Sequence, residues 1–433
     1  MKRGNDIFYG TLLLTLADLL LRLVSMGFQV YLSDRIGPGG IGLMQLIASV
    51  AGLALTIGAA GSRAASLYLT AGALGRGQGS GAILTGCVRY VLLFCLPTAV
   101  GLWQLAPWLA EDWIGAAAAV PSLRLYALTL PVGCLNGVLI GHLTAAGRVR
   151  SLVAVEFLEQ GCAMAVTCLL LAGWAGGEMG RACLAVTAGR TAAALAAHLA
   201  FLRLTRPAPA RERPPYGPIL RTALPLGLAG VLRSGLGTLE HLLIPKGLAR
   251  FSGTADPMAD YGVLHGMVFP LLMLPAALLS ALAELLTPEL SRRAAGGRPR
   301  GVRHLVRRGM KMALLFGLAC AGGLFLLADS LGEGLYHTAA AGAYLRLYAP
   351  FVPLLYLDSV IDAMNRGLGQ QNANARYNLL TSALDIALLW YLLPRYGLGG
   401  YYASFALTHL VNLCLSLGRL VKVSGVGELP WRA

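Results

Sequence analysis

The chain has 433 residues, of which 56% are hydrophobic and only 13% charged, with a formal net charge of +15. Its mean hydropathy is +0.66. An ordinary soluble domain carries about 25% charged residues, so the composition excludes one.

A membrane-crossing helix takes about 20 mostly apolar residues. Twelve segments have that length: 7–32, 41–70, 83–109, 122–145, 152–173, 181–204, 219–246, 261–288, 304–328, 344–366, 375–393 and 399–421. The alternation of a barrel strand is absent, so the segments read as helices. The expected fold is an all-α polytopic membrane protein of about 12 transmembrane helices in two pseudo-symmetric six-helix lobes. The first segment is too long for a cleavable signal and has no small-residue cleavage pattern after it, so it reads as span one.

Charge sets the orientation. With Lys2 and Arg3 inside, inner loops and span ends carry about 24 of the 35 Lys and Arg, and the outer side about 7. That is the positive-inside bias, and it places both termini in the cytoplasm. It also accounts for the basic balance without nucleic acid. The richest loop, Arg292 to Lys311, reads as a topology signal beside anionic lipid.

Residues 205–218, Thr-Arg-Pro-Ala-Pro-Ala-Arg-Glu-Arg-Pro-Pro-Tyr-Gly-Pro, form a Pro-rich, charged stretch. It reads as an extended cytoplasmic linker between a lobe at 1–204 and a lobe at 219–433. The lobes look duplicated. Leu-Arg-Leu-Tyr-Ala stands at 123–127 and again at 345–349, followed at equal offsets by Pro131 and Pro353, then Val138 and Val360. Asn136 aligns with Asp358. Six spans per half make both halves enter from the same side, the parallel-repeat arrangement of some secondary transporters.

No catalytic signature is present. The sequence lacks G-x-x-x-x-G-K-[ST], H-E-x-x-H and G-x-S-x-G. The glycine-rich stretch at 75–81 follows no strand and reads as a short loop. The eight cysteines lie in apolar segments or at their ends, without a C-x-x-C pair, and read as packing residues. Neither metal nor cofactor is expected, and the chain does not read as an enzyme.

Charges inside spans are the informative residues. Each costs about 2.5–3.5 kcal/mol at mid-bilayer and so needs a partner, a watery cavity or a role. Four are arginines: Arg22, Arg63, Arg190 and Arg233. Arginine offers a planar, permanent charge suited to phosphate oxygens. Arg22, Arg63 and Arg233 are the candidate substrate-binding residues, lining a cavity between the halves. Against that reading, Asp18 stands one turn before Arg22 and can neutralise it. Arg63 can snorkel from the end of span two. Arg190 is expected to pair with Glu156 or Glu159. Candidates for coupling or cavity roles are Asp18, Glu240, His241, His265, Asp358 and Asp362. Asp358, Asp362 and Arg366 form an i, i+4, i+8 stripe, either a coupling or sugar-contacting face or an intrahelical ion-pair ladder. Glu240, His241 and His265 could relay protons or simply bond to neighbours. Pro131, Pro225, Pro270, Pro275, Pro350 and Pro353 are expected to kink or end spans.

Three stretches resemble the stage V sporulation protein B family. They are Arg-Leu-Val-Ser-Met-Gly-Phe-Gln-Val-Tyr-Leu-Ser-Asp-Arg-Ile-Gly-Pro-Gly-Gly-Ile-Gly-Leu-Met-Gln-Leu at 22–46, Tyr-Gly-Val-Leu-His-Gly-Met-Val-Phe-Pro-Leu-Leu-Met-Leu-Pro at 261–275, and Asn-Arg-Gly-Leu-Gly-Gln at 365–370. That family lies in the multidrug/oligosaccharidyl-lipid/polysaccharide exporter superfamily, whose members have two six-helix lobes and work by alternating access. The resemblance implies flipping of lipid-linked oligosaccharide across the bacterial plasma membrane, for cell wall, spore cortex or surface polysaccharide. It implies membrane lipids, and polysaccharide or peptidoglycan synthases, as partners. In related lipid II flippases, arginines on the first two spans and in the second lobe bind the diphosphate. Arg22 and Arg63 lie on the matching spans, and Arg233 is the nearest second-lobe candidate. Close families often have fourteen spans, the last two forming a groove for the lipid tail; twelve are read here.

Two other functions stay open on the sequence. A drug or organic-cation antiporter would work through an acid such as Glu240 or Asp362. A non-transporting scaffold for polysaccharide assembly would survive loss of the buried arginines. A membrane glycosyl- or acyltransferase would need a catalytic acid or histidine on a loop, and the outer loops are short.

Overall fold

A computed structural model describes residues 2–173, 179–205 and 214–425. The described residues are helical, with no strand. The helices in order are α1 (Lys2–Ala59), α2 (Ser62–Gly75), α3 (Gly81–Trp108), α4 (Val120–Ala145), α5 (Val149–Gly173), α6 (Met179–Thr205), α7 (Tyr216–Ala249), α8 (Pro257–Tyr261), α9 (Phe269–Met273), α10 (Ala276–Ala295), α11 (Pro299–Leu326), α12 (Ala328–Tyr336), α13 (Ala339–Tyr348), α14 (Val352–Gly367), α15 (Gln371–Tyr396) and α16 (Leu398–Ser424).

Nine helices among the described residues are long and apolar enough to cross a membrane, and ten if the bent pair 257–273 and 276–295 is one span. The stretch counted from Leu19 to Ala59 is two legs, because α1 breaks at Gly37, whose φ of 70° lies outside the helical range. Pro38 follows and cannot donate to the preceding turn. Helix α15 falls short on hydropathy because it carries Asn374, Arg376, Asn378 and Asp385. With both legs of α1, the bent pair and α15 counted singly, the fold has about twelve spans in two lobes.

Span two is not one helix. It breaks at Ala60 and Gly61, with φ of 44° and 76°, and resumes as α2. Tyr90 of α3 donates to the Ala60 carbonyl at 3.0 Å. A Cβ on Gly61 would stand 2.2 Å from the Ala223 carbonyl oxygen, so α7 crosses here at backbone distance. Pro275 separates α9 from α10, and the pair bends by 54°. Pro350 falls in the short turn after α13. Pro131 and Pro225 sit within unbroken helices.

By contact, residues 1–28 and 39–242 form one compact unit, and residues 29–38 and 243–433 the other. Within the first, α7 lays a small-residue face on the second leg of α1. Thr238 donates to the Ser49 carbonyl at 3.1 Å, and Thr56 to the Ser234 hydroxyl at 3.5 Å. Within the second, Gln29 donates to the Gly266 carbonyl at 3.1 Å, and Ser33 donates to the Met267 sulfur at 3.8 Å. The linker expected at 205–218 lies mostly outside the described residues. By contact, residues 219–242 group with the first unit.

The two units repeat each other internally. In the first, Arg124 of α4 lies over the Trp103 ring of α3 at 5.3 Å. In the second, Arg346 of α13 lies over the Phe325 ring of α11 at 5.8 Å. Residues 103 and 325, 124 and 346, and 136 and 358 all differ by 222. Asn136 of α4 hydrogen-bonds His198 of α6 at 2.8 Å. Asp358 of α14 accepts from Asn412 of α16 at 2.8 Å. The corresponding pair of spans is joined in each unit by a part-buried polar bond.

Candidate functional site

The three candidate arginines all belong to the first unit and are exposed, Arg22 and Arg233 on membrane-length helices and Arg63 on the 14-residue α2. Arg22 is on the first leg of α1 and has a partner. Asp18, its expected one, has a side chain outside the described ones. Arg63 opens α2. Its backbone is pressed against α4, where a Cβ on Gly141 would stand 2.4 Å from the Arg63 carbonyl oxygen. Ser66, one turn on, donates to the Val138 carbonyl at 2.9 Å. The helix is thus fixed while the guanidinium stays exposed. Arg233 follows on α7, beside Ser234 and hence level with Thr56. Arg63 lies beyond the break at Ala60 and Gly61, on the far side of it from Thr56 along span two. Arg190 is also exposed.

Glu240 and His241 lie in the first unit and are half-buried; His265 lies in the second. His265 sits in an aromatic stack, 4.8 Å from the Tyr261 ring and 5.0 Å from Phe269.

Asp358 and Asp362 are brought together in a polar ladder inside the second unit. Its spine is α16, where Ser404, Thr408, Asn412 and Ser416 recur every four residues and are all buried. Ser404 and Thr408 donate to Asp385 of α15 at 2.6 and 3.3 Å. Asn412 donates to Asp358 at 2.8 Å. Ser416 donates to Asp362 at 3.3 Å, and Asn378 reaches the other oxygen at 3.5 Å. One oxygen of Asp358 is buried without a hydrogen bond among the described residues. Neutral donors thus reach all three acids, on two helices. Arg366 makes no contact ion pair with Asp362 among the described residues, though it attracts the carboxylate at longer range, and it also borders α10. The sequence reading found Asp358 and Asp362 and missed their donors. The signal was there, in four small polar residues at spacing four on an apolar span.

Such a ladder can hold a small cation or a proton. Among the described residues no three His, Cys, Asp or Glu side chains are grouped to hold a metal ion. The eight cysteines are free thiols; Cys87, Cys95, Cys134 and Cys183 are buried, and Cys414 is exposed.

No family model matches the chain. It is 24% identical over 416 residues to stage V sporulation protein B of Bacillus subtilis (strain 168), covering 92% of this chain and 80% of that protein. Its fold matches an inward-facing multidrug resistance MATE family transporter of the MOP superfamily, with a TM-score of 0.74 at 14% identity over 94% of this chain and 99% of that one. It also matches a MOP superfamily transporter from Pyrococcus furiosus described as having a binding pocket of reversed polarity, with a TM-score of 0.65 at 14% identity over 97% and 96% of the chains. The fold is the one these solved MATE and MOP superfamily transporters share, and the apolar helices make the chain a multi-pass membrane protein. In sequence, the resemblance is to the stage V sporulation protein B family, along nearly the whole chain.

Proposed function

We propose that this protein moves a lipid-linked saccharide, on a polyprenyl phosphate or diphosphate, across the bacterial plasma membrane by alternating access. The observation that carries this reading is the set of exposed arginines of one unit, Arg22 and Arg233 on membrane-length helices and Arg63 on α2. A permanent cation left exposed at membrane depth is costly unless an anion or water meets it, and a diphosphate supplies bidentate acceptors. Arg22 and Arg233 hold the head group, while Arg63, farther along the seam toward Gly75, meets it earlier or later in the passage. The ladder of Asp358, Asp362 and Asp385 is the coupling element that resets the transporter. In fluorescent lipid-diphosphate flipping assays in proteoliposomes, Arg22→Ala plus Arg233→Ala should abolish flipping without loss of folded protein, and Arg63→Ala should slow it. Wild-type rates in the double variant would remove the arginine site.

The antiporter reading is favoured by a different observation, the acid ladder itself. It expects efflux of organic cations that is lost on neutralising Asp362 or Glu240 and indifferent to the arginines.

A further inference from the structure

The second unit contains a cleft of about 460 Å³ between α10 and α14, lined by Leu279, Ser280, Ala283, Thr287, Ser359 and Arg366, with Pro288 at its end. The two helices run side by side in the same direction. Tyr356 donates to the Leu272 carbonyl at 2.7 Å, Thr287 to the Ala363 carbonyl at 3.2 Å, and Ser291 to the Gly367 carbonyl at 2.6 Å. This register puts Ser280 level with Ser359 at one end and Thr287 level with Arg366 at the other. The cleft is therefore about 10 Å long.

Its polarity is graded. Leu279 and Ala283 make the deeper wall apolar. The hydroxyls of Ser280, Ser359 and Thr287 donate to backbone carbonyls, of Ala276, Leu355 and Ala283 respectively. Strong donors thus come from one lining group, the Arg366 guanidinium. Arg366 is exposed and makes no direct hydrogen bond or contact ion pair among the described residues; Asp362 one turn away attracts it at longer range, its oxygens being bonded by Ser416 and Asn378. The cationic end is also the end from which Arg292 and Arg293 follow on α10.

We infer that this cleft binds a lipid-borne phosphate, with the phosphate on Arg366 and the first carbons of its chain along Leu279 and Ala283. An apolar wall ending in one exposed guanidinium with its hydrogen-bond donors open fits an amphiphilic anion better than a free sugar or an organic cation. The volume lies in the range of small-molecule sites. Two sources carry this chemistry: an anionic bilayer phospholipid and the lipid-linked substrate proposed above.

Native mass spectrometry of delipidated protein, titrated with phosphatidylglycerol, tests the inference. Wild type should retain the lipid. Arg366→Gln should retain it roughly tenfold less, the effect of one lost charge-assisted bond, and Arg366→Lys should recover part of the loss. Ser280→Leu, which fills the end away from Arg366 and keeps the charge, should also lower retention. The Arg22, Arg63 and Arg233 triple alanine variant should retain the lipid as wild type does, so the site stands or falls apart from the arginine site of the first unit. Displacement by a short polyprenyl diphosphate would support the site with the substrate as source. Arg366-dependent retention without displacement would support it with the bilayer as source. Equal retention by wild type, Arg366→Gln and Ser280→Leu would overturn it.

Discussion

Arg124 and Arg346 lie over aromatic rings supplied by the preceding long helix of their own units, Trp103 and Phe325. Such contacts are worth about 0.5–1 kcal/mol at exposed sites. Arg124→Ala should therefore lower the melting temperature slightly and leave transport unchanged, measured by thermal shift beside flipping. Asn412 is a different kind of residue. It is buried and supplies the donor that Asp358 accepts. Asn412→Leu strips that donor from a half-buried carboxylate, at a cost of about 1–3 kcal/mol, and should lower thermal stability more than Arg124→Ala does. An unchanged melting curve would mean that Asp358 finds another partner. At this scale the sequence was legible for charges, because an ionisable residue in an apolar span is conspicuous. It was not legible for their partners. Asp362 and Arg366 have the spacing of an ion pair and share a face of α14, yet the carboxylate is hydrogen-bonded by Ser416 and Asn378 while Arg366 feels it only at longer range. Only the packing of other helices decides which partners a carboxylate takes.

Span two is the element whose form departs most from expectation. An unbroken helix was expected over 41–70, and nothing in Ala60-Gly61 reads as a breaker in so glycine-rich a chain. The break exists because α7 crosses at backbone contact. A Cβ on Gly227 would stand 2.6 Å from the Ala60 carbonyl carbon. At Gly61 the positive φ adds strain of about 1–3 kcal/mol for any other residue. Gly61→Ala and Gly227→Leu should each destabilise the protein by roughly 2 kcal/mol or more, read as a lower denaturation midpoint in detergent. Gly237→Ala, where a Cβ meets nothing within 4 Å, is the control and should be nearly silent. The bend at Pro275 was legible, since a proline removes a donor wherever it stands in a helix. Pro350, which ends α13, has no twin in the first copy of the repeat, where Leu128 continues α4. That difference was visible in the sequence, and it explains why the two matched peptides lie on helices of unequal length.

For the whole molecule, hydropathy and charge were enough to give the class, because a bilayer imposes one length and one hydrogen-bonding rule on every crossing segment. The internal repeat was legible too, and the structure gives it physical content in the paired bonds Asn136 to His198 and Asp358 to Asn412. Substrate choice is harder, since one fold serves several cargoes. Here two opposed sets of charges compete for the role: exposed arginines in the first unit and a hydrogen-bonded acid ladder in the second. They predict opposite substrates, so transport of both kinds by one preparation decides between them. Proteoliposomes should be loaded in parallel with a fluorescent polyprenyl-diphosphate oligosaccharide and with a fluorescent organic cation, using wild type, Arg22→Ala plus Arg233→Ala, and Asp362→Asn. The account predicts that wild type flips the lipid-linked saccharide, that the double arginine variant does not, and that no preparation moves the cation. Cation efflux by wild type that persists in the arginine variant and stops in Asp362→Asn, with no flipping of the saccharide, would contradict it.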